Sequence, residues 1–215
     1  MNPFDPKADY SVPKPESKYL KFEEGAVEFM PLQGAVIGWE YWSTDDKPVR
    51  LTVPPEVPAE QLPNIRADKY GNYRVNHFWA FPVIDVATGK VKVLEVTQNS
   101  VQLAIRKYIE NPRWGSPVMK YTLTVERDDS GSITKYTVMA NPLAELPAEW
   151  VAEWERVKQA GFNINALFTN DDPFDPEGNV PEAPQTGAEM SEDEAREEFE
   201  EDTAVPPDHE EVEIK

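Results

Sequence analysis

The strongest constraint on this chain is where its charge lies. From Asp171 to Lys215 there are 18 Asp and Glu against two bases, Arg196 and Lys215, a net of −16, and large apolar side chains nearly vanish over the same stretch. So few cannot offset the entropy of ordering a backbone, so residues 169–215 are expected to form a disordered acidic tail. Whatever folds must fold from what precedes it. The overall charge of −19 would by itself argue against a nucleic-acid ligand, but residues 1–170 carry only −3, and residues 50–140 hold 12 bases against 9 acids. A near-neutral body with a mildly basic middle, joined to an acidic tail, is the asymmetry of a protein with an interaction tail.

Composition removes several function classes. With no cysteine there is no disulfide or Cys-ligated metal site, and His77 and His209 are too few for most His-based ones. No metal or cofactor is therefore expected. The first residues lack the apolar core of a signal peptide, and no stretch nears the roughly 18 apolar residues that span a bilayer. The expectation is a soluble protein with no membrane partner.

Residues 1–18, with Pro3, Pro6, Pro13 and Pro15, read as an extended arm. Short β-like runs follow from Tyr19 to Met30 and from Ala35 to Trp42, the second ending in the turn Ser43-Thr44-Asp45-Asp46, and Val49 to Val53 resumes the pattern. Four prolines between 54 and 63 make residues 54–72 a surface loop. Tyr73 to Val86 and Lys90 to Val96 form a hairpin about Thr88-Gly89. The period then changes, since Val101, Ala104, Ile105, Tyr108 and Ile109 fall on one helical face that Asn111-Pro112 closes. Met119 to Arg127 and Ile133 to Met139 make a second hairpin, and Pro147 to Ala160 a further helix with Trp150, Val151, Trp154 and Val157 on one face. Strands, one helix, then a closing hairpin is the element order of an OB-like five-stranded Greek-key barrel with its helix between strands 3 and 4. The reading is therefore mainly β, with extra N-terminal strands, a C-terminal helix and a folded domain over 19–168.

A binder of unpaired strands needs cations for phosphates and flat rings on which bases stack. This chain interleaves them. The candidate DNA-binding set is Trp42, Arg50, Tyr70, Tyr73, Arg74, His77, Trp79, Lys92, Arg106, Lys107, Arg113, Trp114, Arg127, Lys135 and Tyr136, with Trp39, Tyr41, Lys47, Lys69 and Phe81 alongside. Against this, most Trp and Phe of a β barrel simply fill its core, and a lone Lys or Arg is usually a solvated charge. Trp79 and Phe81 share one strand face, Phe78 and Ala80 the other, so the hairpin is either a sheet covered on both sides or an exposed stacking platform.

Phosphate-loop, nucleophile-elbow and His-pair signatures are absent from the sequence. Asp85 and Glu95 loosely match the paired carboxylates of metal-dependent nucleases, but the lysine two residues on is Thr97, so they read as ordinary hairpin charges and the protein as no enzyme. In the tail, Ser191 and Glu194 form a capping box before Ala195 to Glu201, and Glu197, Glu198, Phe199, Glu200, Glu201 and Asp202 are the candidate partner-binding residues. Tethered near a cationic groove, the tail would compete with phosphate for it. Two other readings stay open: a protein-interaction or scaffold module that never touches nucleic acid, and a DNA mimic.

The order Tyr19-Leu20-Lys21-Phe22-Glu23-Glu24-Gly25, His77-Phe78-Trp79-Ala80-Phe81-Pro82-Val83-Ile84-Asp85, Lys92-Val93-Leu94-Glu95-Val96-Thr97-Gln98, Trp114-Gly115-Ser116-Pro117, Tyr121 to Arg127 and Ile133 to Val138 resembles phage-encoded single-stranded DNA-binding proteins of the OB-fold type. The resemblance covers a little over half the chain. It implies a protein that coats single strands in replication, recombination or repair in a bacterial host's cytoplasm, self-associates on DNA, and recruits replication or recombination proteins through its acidic C-terminus. The chain departs from some relatives in lacking the cysteines of a structural zinc. It also departs in ending Glu213-Ile214-Lys215 rather than on an aromatic, so Phe199 or Ile214 would take that role.

Overall fold

The computed structural model describes residues 17–176; the expected arm up to residue 16 and the tail from 177, with Glu197 to Asp202, lie outside the described residues. Eight strands, β1 (Tyr19–Leu20), β2 (Gly25–Pro31), β3 (Val36–Trp42), β4 (Pro48–Leu51), β5 (Asn76–Asp85), β6 (Lys90–Val96), β7 (Tyr121–Asp128) and β8 (Lys135–Pro142), join in one mixed sheet. Helix α1 (Asn99–Glu110) follows β6, and α2 (Ala148–Gln159) and a 3-10 segment (Ile164–Thr169) follow β8. The loop after β4 contains one short 3-10 turn, Ala59–Gln61.

Strand β5 organises the sheet. One edge carries β6 antiparallel along Trp79 to Asp85; the other is divided between β3, opposite Asn76 to Ala80, and β2, opposite Val83 to Asp85. From β2 the sheet continues through β7 to β8, while β1 adds to β6 in parallel. The chain is mainly β, as the sequence reading has it, but in place of an OB-like five-stranded barrel the sheet is open, with no ladder between β6 and β8 among the described residues. The reason is local. β1 occupies the outer edge of β6, pairing Tyr19 with Val93, and α1 packs against both β6 and β8, where the Tyr108 hydroxyl donates to the Val138 carbonyl at 3.3 Å. The extra strands are β1 and the β3–β4 hairpin.

Side-chain alternation along β5 feeds two cores. Phe81 and Val83 face α1 and pack with Phe29, Leu94, Val96, Val101, Ile105, Leu123 and Val125. Phe78 and Ala80 face the 3-10 segment with Val93, Ile164 and Leu167, and Ile84 meets Trp154 and Val157 of α2. A strand covered on both sides needs apolar residues at every position, which is why neither face of this hairpin looked polar in sequence. Gly38 permits the second layer to close: a Cβ there would lie 2.9 Å from the rings of both Phe78 and Phe168. Packing also runs past the expected boundary at 168, since Phe174 stacks edge-on against Phe162 with centroids 5.0 Å apart.

The β5–β6 turn is held by Asp85, whose carboxylate accepts from Ala87 N (3.1 Å), Thr88 Oγ1 (2.9 Å) and Lys92 Nζ (2.8 Å) while Gly89 takes φ +66. Burial pushes this carboxyl up, but the hydrogen bonds from Lys92 and Thr88, the Lys92 charge and the Ala87 N–H outweigh it and leave it below its ordinary value. A depressed carboxyl stabilises the fold above its unfolded pKa of about 4, and that stabilisation is lost as pH falls through the folded value. Asp85→Asn is expected to lower the unfolding free energy by about 1–3 kcal/mol at neutral pH in urea titrations, with the gap from wild type narrowing below about pH 4.

Candidate nucleic-acid interface

Helix α1 covers the face of β5 from Phe81 onward and leaves the preceding residues partly open. There Trp39 of β3 stands opposite His77 of β5, ring centroids 5.4 Å apart at 64°, and Ile37 stands opposite Trp79. Below Trp79 a cavity of about 220 Å³ opens between Ile37, Ile105, Ile109 and Pro117. Gln102 of α1 closes one side of this strip. Its amide nitrogen donates to the carbonyls of Val96 (2.7 Å) and His77 (3.3 Å), and its oxygen lies 3.1 Å from His77 Nδ1. Arg106, one turn on from Gln102, shares that flank of the helix and is exposed.

A second group of rings is formed by Trp42 at the end of β3 and by Tyr70 and Tyr73 on the loop leading into β5. Residues 64–66 run beside the end of β3, with Ile65 bridged to Ser43 and Arg66 N donating to Trp42 O at 2.8 Å. The Arg66 guanidinium sits 5.6 Å from the Trp42 ring centroid and pairs with Asp46. Asp68 then folds the loop on itself, accepting from Tyr70 N (2.8 Å) and Asn72 N (3.0 Å) and pairing with Arg74 Nε (2.9 Å). The Asn72 N–H, then the Tyr70 N–H and Arg74, hold its carboxyl below the ordinary value. Lys69 Nζ lies 4.9 Å from the Tyr70 ring centroid. The three rings are open to solvent, Tyr70 at 72% and Trp42 and Tyr73 at 42% each. Each has a cation on it or next to it in the chain.

Other sequence-predicted residues are engaged within the fold: Arg50 has a buried side chain, and Lys92, Trp114, Arg127 and Tyr136 are half-buried against neighbours. Arg50 is 8% exposed and is held by Glu40 (3.1 Å), by both oxygens of Glu95 (2.9 and 3.0 Å) and by the Leu167 carbonyl (3.3 Å). Lys92 is engaged with Asp85. Trp114 wedges between Tyr108 and Tyr121, with centroids 5.8 and 4.9 Å away, and Tyr136 packs on Phe22 at 6.1 Å. Arg127 donates to Phe22 O (3.0 Å) and pairs with Asp129 (2.9 Å). Interleaving of rings and cations along the sequence does not separate a packed ring, such as Trp114 or Tyr136, from an open one. Lys107, Arg113 and Lys135 are exposed, and the first two have no carboxylate partner among the described residues; Arg106 pairs with Glu110 at 2.7 Å.

Trp39, named only alongside the candidate set, stands in the strip, and Gln102 in the strip and Arg66 beside Trp42 join without having been named. For Trp39 the alternation of Ile37, Trp39 and Tyr41 held the signal; for Arg66 and Gln102 only the tertiary fold does. The nuclease-like pair is not brought together, since Asp85 is bound to Lys92 and Glu95 to Arg50, and no group of three metal-ligating side chains occurs among the described residues. No protein family, curated protein or solved structure matches this chain.

Burial pushes the Glu40 carboxyl above its ordinary value and the nearby Glu95 adds to the rise, with Arg50 opposing both. Arg50→Ala leaves two buried carboxylates facing each other and is expected to cost about 3–5 kcal/mol of unfolding free energy in urea titrations.

Proposed function

We propose that this protein binds single-stranded DNA with little sequence preference, without catalysis, along the path from Trp42, Tyr70 and Tyr73 to Trp39, His77 and Trp79. The observation that carries the reading is a set of three exposed rings, each beside a cation: Trp42 at the end of β3, and Tyr70 and Tyr73 on the loop that runs into the half-open aromatic strip of β5. Large exposed rings on a folded surface call for a partner, and unpaired bases offer flat faces and phosphates at matching intervals. Arg66, Lys69 and Arg74 supply charge at the rings, and Arg106, Lys107 and Arg113 supply it on and just after α1.

Topology supports an OB-like ancestry for the body. Strands β7, β2, β5 and β6 lie side by side in that order, antiparallel throughout, which is the 4-1-2-3 arrangement of a Greek key. With β8 they make five strands with α1 between the third and fourth, and a partly open barrel is within the range of that fold. In this reading the C-terminal acidic segment competes with DNA for the cations and, once displaced, recruits replication or recombination proteins, acting in a bacterial host.

The apolar cavity under Trp79 favours a second reading, a module whose ligand is a protein. Mobility shifts with single- and double-stranded oligonucleotides decide between them, and no shift with either would end the DNA reading. Under the DNA reading, Trp42→Ala and Tyr70→Ala each weaken binding to oligo(dT) by about 1–3 kcal/mol in anisotropy titrations while the melting temperature stays unchanged. Trp114→Ala does the reverse, lowering the melting temperature. Cutting the chain after Pro176 removes 15 acids and two bases. The shortened chain is expected to bind oligo(dT) more tightly at low salt, an advantage that fades as salt rises.

A further inference from the structure

The Gln102–His77 contact fixes more than a side-chain position. Both hydrogens of the Gln102 amide are directed at backbone carbonyls, those of Val96 at 2.7 Å and His77 at 3.3 Å. Reversing the amide would aim its oxygen at two carbonyl oxygens, so the orientation is set. The Gln102 oxygen therefore faces His77 Nδ1 at 3.1 Å and accepts from it, which requires Nδ1 to carry the proton. In the neutral ring Nε2 is then a bare acceptor. It has no hydrogen-bond partner among the described residues and is not one of the buried unpartnered atoms, so on a half-exposed residue it is not sealed from solvent. The ring that carries it lies in the aromatic strip, edge-on to Trp39 and two residues from Trp79.

Resting on the DNA-binding reading above, we infer that His77 Nε2 accepts a hydrogen bond from a Watson–Crick-edge N–H of a base held in the strip, and that this contact selects unpaired bases. A fixed acceptor cannot bind phosphate, which offers no proton. Every natural base can satisfy it, thymine through N3–H, cytosine and adenine through their exocyclic amines, guanine through N1–H and N2–H, so the contact is blind to sequence. In a duplex the ring N–H of thymine and guanine and one hydrogen of each exocyclic amine are already given to the opposite strand, and the amine hydrogen that is left points into a groove, away from the pairing edge. One histidine, held in one tautomer by one glutamine, thus favours unpaired bases, whose pairing edge is free, without reading their identity. Gln102 is the positioning residue and His77 the contact.

The test uses the full chain and two oligonucleotides of equal length, oligo(dT) and oligo(N3-methyl-dT), which keeps the thymine ring and phosphates but has no N–H to donate. Wild type is expected to bind oligo(dT) about 3- to 10-fold more tightly, the scale of one neutral hydrogen bond. His77→Phe, which retains a flat ring, is expected to bind both strands equally. Gln102→Glu should also lose the preference, because a carboxylate at Nδ1 favours the imidazolium and turns Nε2 into a donor. Equal affinity of wild type for the two strands, or a preference that survives in His77→Phe, overturns the inference while leaving DNA binding intact. Absence of binding to oligo(dT) by wild type instead overturns the reading on which it rests.

Discussion

Strand β5 has to bury both of its faces, and most of the architecture follows from meeting that requirement. Its α1-facing residues need the helix and the inner faces of β2, β6 and β7; its opposite residues need α2 and the 3-10 segment after it. β5 and its hairpin partner β6 are the strands that contribute to all three clusters, β5 through Phe81 and Val83, Ile84, and Phe78 and Ala80, and β6 through Leu94 and Val96, Val91, and Val93. The first residues of β5 are the exception. At His77 and Trp79 the helix no longer covers the strand, and the rings left half-open there form the strip on which the proposed chemistry depends.

Charge is arranged in two regimes. Inside, Arg50 is enclosed by Glu40 and Glu95, and Lys92 by Asp85, so these cations are neutralised where they sit. Outside, Arg66, Lys69 and Arg74 lie on the ring-bearing loop, Arg66 and Arg74 each with a neighbouring aspartate that positions the side chain but leaves it at the surface. A mildly basic middle counted along the sequence therefore overstates what a ligand meets, since part of that charge is consumed by the fold.

Element types were legible wherever a period or a turn residue spoke for itself: the hairpin at Thr88-Gly89, the helix closed by Asn111-Pro112 and the helix opened by Pro147 all formed where local chemistry placed them. Closure was not legible, because whether β6 meets β8 depends on what α1 and β1 do in space, and no local signal reports that. The 3-10 segment was missed for a related reason: Ile164, Leu167 and Phe168 lack the spacing of a long helix, and their burial is decided by the missing side chain at Gly38. Among the candidate residues, Trp42, Tyr70, Tyr73 and Arg74 are exposed and His77 and Trp79 half-exposed, whereas the Arg50 side chain is buried and Trp114 and Tyr136 are half-buried against other rings. Ring–cation adjacency reports that a contact is available and says nothing about which side of the surface it lies on.

The β3–β4 hairpin leaves the main path of the sheet and is joined by strand pairing to β5 alone. Mechanically it is a cantilever, and its far end is pinned by Arg50, which reaches across to Glu95 on β6 and to the Leu167 carbonyl. Trp39 and Trp42 ride on that beam. The ring of Trp39 is thus kept in place by an ionic clamp on the opposite face of its own hairpin, where Glu40 and Arg50 lie, so the geometry of one face of the hairpin is set by charge held on the other.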